Sequence, residues 1–175
     1  MIIAVNTPHG VGYFTDNKGT FLFNKQFQSV SYFSEGLARV KKNGKYGFIN
    51  AKGEVVIPCI YNHVDWFSEG LACVKQNGKE GFINSQGKVV IPCIYDGVWS
   101  FSEGLAPVKQ KGKYGFINTK GEQVIPCIYD DAEWFSKGLA RVMKDGEWSI
   151  INTQGKVIVA ECDCWSTSWS VVEME

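Results

Sequence analysis

Glutamate is the first residue type in this 175-residue chain that could do chemistry, because it recurs within one short phrase. The phrase FSEGLA contains Glu35, Glu69 and Glu103, and a fourth copy, FSKGLA, has Lys137 in the glutamate position. A recurring carboxylate suggests general acid catalysis. However, Ser-x-Gly favours a turn, and the same turn position is copied each time, with lysine in the last copy. We therefore interpret these residues as structural turn residues rather than catalytic acids.

Other catalytic residue types are sparse. The chain has two histidines, His9 and His63, and they stand in different sequence contexts. It contains neither a nucleophile motif nor a glycine-rich phosphate loop. We therefore expect a protein that is not an enzyme and that has neither catalytic residues nor a cofactor.

The six cysteines could form disulfides or bind a metal. Cys59, Cys93 and Cys127 occupy one recurring position between Pro and Ile, and a disulfide would need Cα separations of about 4.4–6.8 Å between them. Free cysteine is also among the most buried residue types, so we interpret these three as structural thiols. Cys162 and Cys164 form a C-x-C with no histidine nearby, whereas zinc sites usually show paired C-x2-4-C or His spacing. We expect no metal site.

The composition indicates a folded protein with no net charge. Eighteen basic residues balance eighteen acidic ones, so the basic footprint of a nucleic-acid-binding protein is missing. The apolar runs are about five residues long, against the roughly 20 needed to span a bilayer. The first ten residues contain no basic residue and too short an apolar run for a secretory signal. We therefore expect a cytoplasmic protein with no nucleic-acid or membrane partner, and a monomer is one option.

The chain is built from internal repeats. The four copies of the phrase begin at Phe33, Phe67, Phe101 and Phe135, at intervals of 34 residues. The segments GKYGFIN and VIPCIY keep the same interval, and both chain ends can be aligned in the same phase. This periodicity predicts one domain over residues 1–175 with five units, at about 3–36, 37–70, 71–104, 105–138 and 139–172.

Each unit has the sequence of a β-meander. Gly and Pro interrupt every stretch before it reaches helical length, which excludes helical repeats. In the second unit, residues 37–41 alternate apolar and polar side chains, so we expect a strand with one buried face. Asn43-Gly44 predicts a tight hairpin turn to a return strand at 46–50, and a third strand at 54–57 should end or bend at Pro58. The unit is therefore predicted to be a three-stranded meander plus a less regular return segment, with Phe67 and Phe101 as core anchors.

The spaced segments GKYGFIN..G..VIPCIY and FSEGLA.V resemble the WG-repeat family, which is widespread in bacterial proteins as tandem arrays. The resemblance covers about residues 3–172, and it implies a repeat scaffold that binds partners and has no catalytic residues. The sequence departs from the family pattern at the motif tryptophan, which is Tyr46, Glu80 and Tyr114 in three units. In the last unit Trp148 is present, but Ser149 replaces the glycine that follows it.

Two all-β architectures fit the repeat. An open stack needs atypical terminal units, and both end units here are atypical, which favours an open β-solenoid-like stack. The alternative is a closed five-bladed β-propeller, since strand-like residues at both chain ends stand at the equivalent phase. We expect the open stack.

The positions that differ between units are the candidates for partner binding. They follow the repeated tyrosine and form an aromatic and acidic set: Asn62, His63, Asp65, Trp66, Asp96, Trp99, Asp130, Asp131, Glu133 and Trp134. Exposed aromatic residues are enriched in interface hot spots. We nevertheless expect Trp66 and Trp134 to be core aromatics beside Phe67 and Phe135, and Trp99, shifted by one position, to face outward.

Two binding functions follow from this pattern. The first is a non-enzymatic scaffold for a protein partner, such as an adaptor or an immunity-type protein. The second is a carbohydrate- or cell-wall-binding module, because aromatic residues on β-hairpin repeats can stack on sugar rings.

Overall fold

A computed structural model describes the backbone of residues 3–7 and 10–14 and the full structure of residues 27–159. All the regular elements in these ranges are β-strands, in accordance with the sequence. No helix in the described ranges is long and apolar enough to cross a membrane. The strands are β1 (Ile3–Thr7), β2 (Gly10–Phe14), β3 (Ser29–Ser34), β4 (Leu37–Lys42), β5 (Lys45–Asn50), β6 (Val55–Tyr61), β7 (His63–Val64), β8 (Leu71–Gln76), β9 (Lys79–Asn84), β10 (Val89–Tyr95), β11 (Gly97–Val98), β12 (Leu105–Gln110), β13 (Lys113–Asn118), β14 (Gln123–Tyr129), β15 (Asp131–Ala132), β16 (Leu139–Lys144), β17 (Glu147–Asn152) and β18 (Val157–Val159).

The strands form one two-stranded sheet followed by four antiparallel four-stranded sheets. The orders are β1-β2, β3-β4-β5-β6, β7-β8-β9-β10, β11-β12-β13-β14 and β15-β16-β17-β18. The predicted three-stranded meander was therefore one strand short. The return segment pairs with the first strand of the next unit, and the N–H groups of Asn62 and Asp65 donate to the carbonyls of Lys75 and Cys73. Each sheet thus begins in the return segment of one sequence unit and continues into the next.

The strand does not end at Pro58, because β6 runs through it to Tyr61. Of the two predicted alternatives, an end or a bend, the irregular register around Pro58 fits the bend. Phe48 pairs with Ile57 and Tyr46 with Tyr61, so three residues of β6 lie opposite the single residue Gly47. This bulge lies in the edge strand of the sheet, where a residue without an N–H donor is tolerated.

The bulge explains the glycine that follows Tyr46 in the repeat motif. A Cβ atom added to Gly47 would lie 2.4 Å from the Ile57 carbonyl oxygen, and Gly81 and Gly115 are equally confined. In the last sheet Ser149 occupies this position, and the described residues of the partner strand end at Val159, before the positions that form the bulge elsewhere. The motif glycine is therefore required wherever the bulged strand crosses it.

The core lies between successive sheets. One cluster joins Phe48 and Ile57 of one sheet to Phe67 and Val74 of the next. The rings of Phe48 and Phe67 are 4.9 Å apart, and the pairs Phe82–Phe101 and Phe116–Phe135 repeat this contact at 4.8 and 4.9 Å. The expected anchors, Phe67 and Phe101, are both buried, so this prediction is confirmed.

The expectation of one buried face per strand does not hold for the inner sheets. Residues Leu71 to Val74 are all buried, because Ala72 and Val74 pack against the preceding sheet and Leu71 and Cys73 against the following one. An inner sheet is covered on both faces, so its central strand β8 is apolar at consecutive positions.

The FSEG phrase forms a ladder between repeats. Glu35 and Gly36 both have positive φ, which produces a tight primed turn, and the Glu35 carboxylate accepts a hydrogen bond from Gly70 N–H of the next unit at 3.0 Å. The Ser34 hydroxyl donates to the Phe67 carbonyl at 2.9 Å. The same bonds recur one and two units later, from Ser68 to Phe101, Ser102 to Phe135, Gly104 to Glu69 and Gly138 to Glu103. The recurring glutamate is thus a turn residue, as expected, and it also binds the next turn.

The sheets form an open β-solenoid-like stack, as expected from the sequence. Within the described ranges each four-stranded sheet packs on the next, and no substantial contact joins the last sheet to the first. The ring proposed as the alternative would need such a contact.

The bulge predicts that Gly81→Ala destabilises the fold by about 3 kcal/mol, because the new Cβ would meet the Ile91 and Pro92 carbonyl oxygens at 2.5 Å. Gly97→Ala is the matched control, since its nearest neighbour is the Lys109 Cβ at 3.8 Å, an ordinary contact. Its free energy of unfolding should stay within about 1 kcal/mol of the original. Urea denaturation of both variants checks this, and equal midpoints would contradict the role of the motif glycine.

Candidate partner-binding site

The candidate residues lie on the segments 62–67, 96–101 and 130–135, which link consecutive sheets. Each segment starts after a buried tyrosine and ends at a buried phenylalanine, so its two ends are held by the core. The candidate residues themselves are exposed or half-buried.

Two of the acidic candidates are used inside the fold. Asp96 accepts a hydrogen bond from Lys111 N–H at 2.9 Å and forms an ion pair with Lys79, and Asp130 does the same with Asp145 N–H at 2.8 Å and with Lys113. Each carboxylate therefore closes a hairpin turn of its own sheet and ties it to the preceding sheet. The hydrogen bond from Lys79 and the one from the Lys111 N–H lower the pKa of Asp96, and Lys113 and the Asp145 N–H lower that of Asp130.

The expectation that Trp66 and Trp134 belong to the core was wrong, since 49% and 58% of their surfaces are exposed. Each precedes the core phenylalanine, and consecutive residues of an extended chain point to opposite sides. Trp99 is 50% exposed, so its outward orientation is confirmed.

Trp66 is partly covered by an arginine that the sequence pattern did not single out. The Arg39 guanidinium stacks 4.5 Å from the centre of the Trp66 ring and donates through Nη1 to the Val64 carbonyl at 2.9 Å. Nη1 also lies 3.8 Å from Asp65 Oδ1, and His63 Nε2 is 3.5 Å from the same oxygen. Arg39 thus covers one face of Trp66 and is itself held by Val64 and Asp65, and the exposed Asn62 precedes His63 in the chain.

Trp99 and Trp134 both line an open groove of about 250 Å³. Ser100, Phe101 and Ser102 complete its lining. The groove brings together two candidate residues from adjacent units, although they are 35 positions apart in the chain. It is a shallow, largely apolar surface with serine residues in its lining, and it can accept a flat or extended group.

Beside Trp134, Glu133 pairs with Arg141 at 3.0 Å, and the Arg141 guanidinium stacks 4.5 Å from the Trp148 ring centre. The Asp131 carboxylate accepts a hydrogen bond from the N–H of Ala132 at 2.9 Å. Arg141 was not among the candidate residues predicted from the sequence. The signal that could have found it is its repeat position, which is that of Arg39 three units earlier.

The thiols show no sign of site chemistry in the described part of the chain. Cys59, Cys93 and Cys127 are free and partly buried, and burial raises the pKa of each thiol. Cys93 lies 3.6 Å from the Val74 carbonyl, in a packing position. His9, Cys162 and Cys164 lie outside the described residues.

Stacked four-stranded meanders with a shared glycine-dependent bulge define a class of tandem β-repeat proteins. A family model described as WG containing repeat matches residues 14–46, 46–79, 81–114 and 114–148. The chain therefore belongs to the WG-repeat family. No curated protein matches the sequence.

Solved structures show a similar fold at low sequence identity. Kluyveromyces lactis Hsv2 aligns with a TM-score of 0.54 and 11% identity, over 90% of this chain and 59% of that chain. KlHsv2 with loop 6CD replaced by a Gly-Ser linker aligns with a TM-score of 0.56 and 12% identity, over 89% of this chain and 60% of that chain. This chain spans about 60% of the length of these structures, and the likeness concerns the fold alone.

The lowered pKa values of Asp96 and Asp130 predict a stability that falls in acid. A carboxyl with a lower pKa in the folded state stabilises the fold above its unfolded pKa, near 4, and this contribution is lost as the pH falls through the folded pKa. The double variant Asp96→Asn/Asp130→Asn should therefore lose less stability than the original protein between about pH 5 and pH 2. Urea midpoints across this range measure it, with Glu147→Gln as an exposed control. An unchanged acid slope in the double variant would refute the assignment.

The neighbours Trp134 and Phe135 should differ sharply in their effect on stability. Phe135 is fully buried, so Phe135→Ala should lower the free energy of unfolding by about 3–5 kcal/mol. Trp134→Ala removes an exposed ring and should change it by about 0.5 kcal/mol. Denaturant titrations test both, and comparable losses would show that Trp134 is a core residue after all.

Proposed function

We propose that this chain is a non-enzymatic scaffold that binds a protein partner through the groove between Trp99 and Trp134. The observation that carries the proposal is that two exposed tryptophans line one groove. Tryptophan is enriched in interface hot spots, because a large rigid ring buries much apolar area on binding.

The division of labour within the repeat supports this proposal. The residues that recur between units form the core, the bulge and the Ser–Glu ladder, so their interactions are used within the protein. The linking segments vary from unit to unit and place their aromatic rings outward. Variation at exposed positions on a repeated frame is how repeat proteins build binding surfaces. An adaptor or immunity-type role is a narrower form of the same proposal.

Carbohydrate binding is the second candidate, and the groove is the observation that favours it. Two indole rings and Ser100 in one lining offer a stacking surface and a polar group for a sugar ring. Retention of the purified protein on insoluble peptidoglycan or cellulose tests this alternative directly.

Affinity capture from the native host, read by mass spectrometry, tests the scaffold function. We expect the Trp99→Ala/Trp134→Ala variant to lose a protein that the original chain retains. Tyr32→Ala is the matched control, since Tyr32 is an aromatic residue with 85% exposure away from the groove, and it should retain the same protein. Identical capture by all three forms would reject the groove as the binding site.

A further inference from the structure

Trp66 and Trp134 occupy the same repeat position, and each is called here, with the residues around it, a tryptophan corner. An arginine of this chain covers the ring in the corner of Trp66, and the equivalent position in the corner of Trp134 holds no arginine. In the first copy Arg39 covers Trp66, donates to the Val64 carbonyl and pairs with Asp65. A guanidinium on an indole face with a carboxylate beside it is a favourable cation–π arrangement. This corner shows which ligand chemistry the repeat can hold.

The second copy lies two units, or 68 residues, further along the chain. Trp134 occupies the position of Trp66, Glu133 that of Asp65, and Ala132 that of Val64. The position of Arg39 is taken by Pro107, which is buried and carries no charge. Trp134 accordingly has a more exposed surface than Trp66, at 58% against 49%.

Trp99 stands where the first corner has Ser31, two units earlier. The N–H of Trp99 donates to the Pro107 carbonyl at 3.0 Å, so Trp99 is held beside the position that lacks the arginine. In the second copy Trp99 and Trp134 both line an open groove, together with Ser100, Phe101 and Ser102.

The charges of the two corners also differ. In the first corner the charges of Arg39 and Asp65 cancel, with His63 counted as neutral. The same positions in the second corner hold Pro107, Glu133 and Asp131, which leaves two negative charges, and Arg141 at the position of Cys73 cancels one of them. The second corner is therefore one positive charge short of neutrality.

We propose that the groove between Trp99 and Trp134 accepts an arginine side chain of the partner protein, in the place that Arg39 fills at Trp66. The guanidinium lies against the Trp134 ring, and Glu133 and the Ala132 carbonyl are its polar partners. This inference deepens the proposed scaffold function by naming the group that the groove recognises. Glu133 is the chain neighbour of Trp134, and its carboxylate pairs with Arg141 at 3.0 Å.

The test uses a blocked glycine peptide with one central arginine as the probe, added to the full-length protein. The indole N–H resonances of the tryptophans are followed by NMR and assigned by the loss of single signals in Trp66→Ala, Trp99→Ala and Trp134→Ala variants. We expect the Trp99 and Trp134 signals to shift in a saturable way and the Trp66 signal to stay, because Arg39 already covers it. A peptide with norleucine in place of arginine should shift them much less.

Two groups of variants sharpen the result. Glu133→Gln, or Trp134→Ala followed through the Trp99 signal, should weaken arginine-peptide binding by about threefold to tenfold. Arg39→Ala should open the Trp66 corner, so that the Trp66 signal begins to respond. Pro107→Arg should fill the second corner from within and abolish the response. If the Pro107→Arg variant does not fold, the response of the Trp66 signal in Arg39→Ala remains as the test.

Equal shifts with the norleucine peptide, no shift with the arginine peptide, or a Trp66 response in the original protein as large as that of Trp134 would each overturn the proposal. These outcomes are separate from failure of the scaffold function. If the tryptophan variants lose a partner while the arginine peptide has no effect, the scaffold stands and this inference fails. If the peptide binds as expected and capture is unchanged, the arginine site stands and the protein-scaffold proposal fails.

Discussion

Face-to-face packing of neighbouring sheets is the interaction on which the rest of this structure depends. A single four-stranded meander of about 30 residues has two apolar faces and cannot bury either one alone. The phenylalanine pairs, with ring centres 4.8 to 4.9 Å apart, bring successive sheets together, and Gly87 packs so closely that its Cβ position lies 3.2 Å from the Ile57 side chain. The FSEG ladder adds hydrogen bonds along one end of the same interface. Stability is therefore a property of the interfaces, and each unit depends on its neighbours.

This constraint limits where the chain can vary. A change in Phe82 would disturb the interface between sheets, and a change in Gly81 would disturb the bulge. A change in Trp99 or Ser100, in contrast, alters an exposed segment whose ends are held by the buried Tyr95 and Phe101. The two ends of each linking segment are therefore fixed by the core, while the outward-facing side chains between them can differ from unit to unit. That combination suits a binding surface, because side chains on a fixed frame lose little further entropy when a partner docks.

The internal repeats also provide comparisons that a non-repetitive protein lacks. One position holds Arg39, Cys73, Pro107 and Arg141, and the local chemistry follows the residue present. Arginine there stacks on Trp66 in one unit and on Trp148 in another, and proline leaves Trp134 beside a groove. Similarly, the residue at the motif tryptophan position faces a lysine on the neighbouring strand. Lys41 stacks on Tyr46 and Lys109 on Tyr114, whereas Lys75 forms an ion pair with Glu80 at 3.0 Å. The family tryptophan can thus be replaced wherever its neighbour supplies a matching cation contact.

The sequence by itself determined the 34-residue period, the all-β class, the tight turns at Asn43-Gly44 and the buried Phe67, because turn chemistry and apolar spacing are local properties. It also identified the segments that carry Trp99 and Trp134. Only the tertiary structure decided that a fourth strand forms, that β6 continues through Pro58, and that Trp66 and Trp134 face outward. These features depend on contacts between separate strands and sheets, such as the pairing of His63 with Lys75 and the stacking of Arg39 on a tryptophan 27 residues later. A pattern read along the chain records which side chains are apolar. It does not record which of two adjacent aromatic residues, Trp134 or Phe135, will meet the neighbouring sheet, and that choice follows from the bulge and register that orient the linking segment.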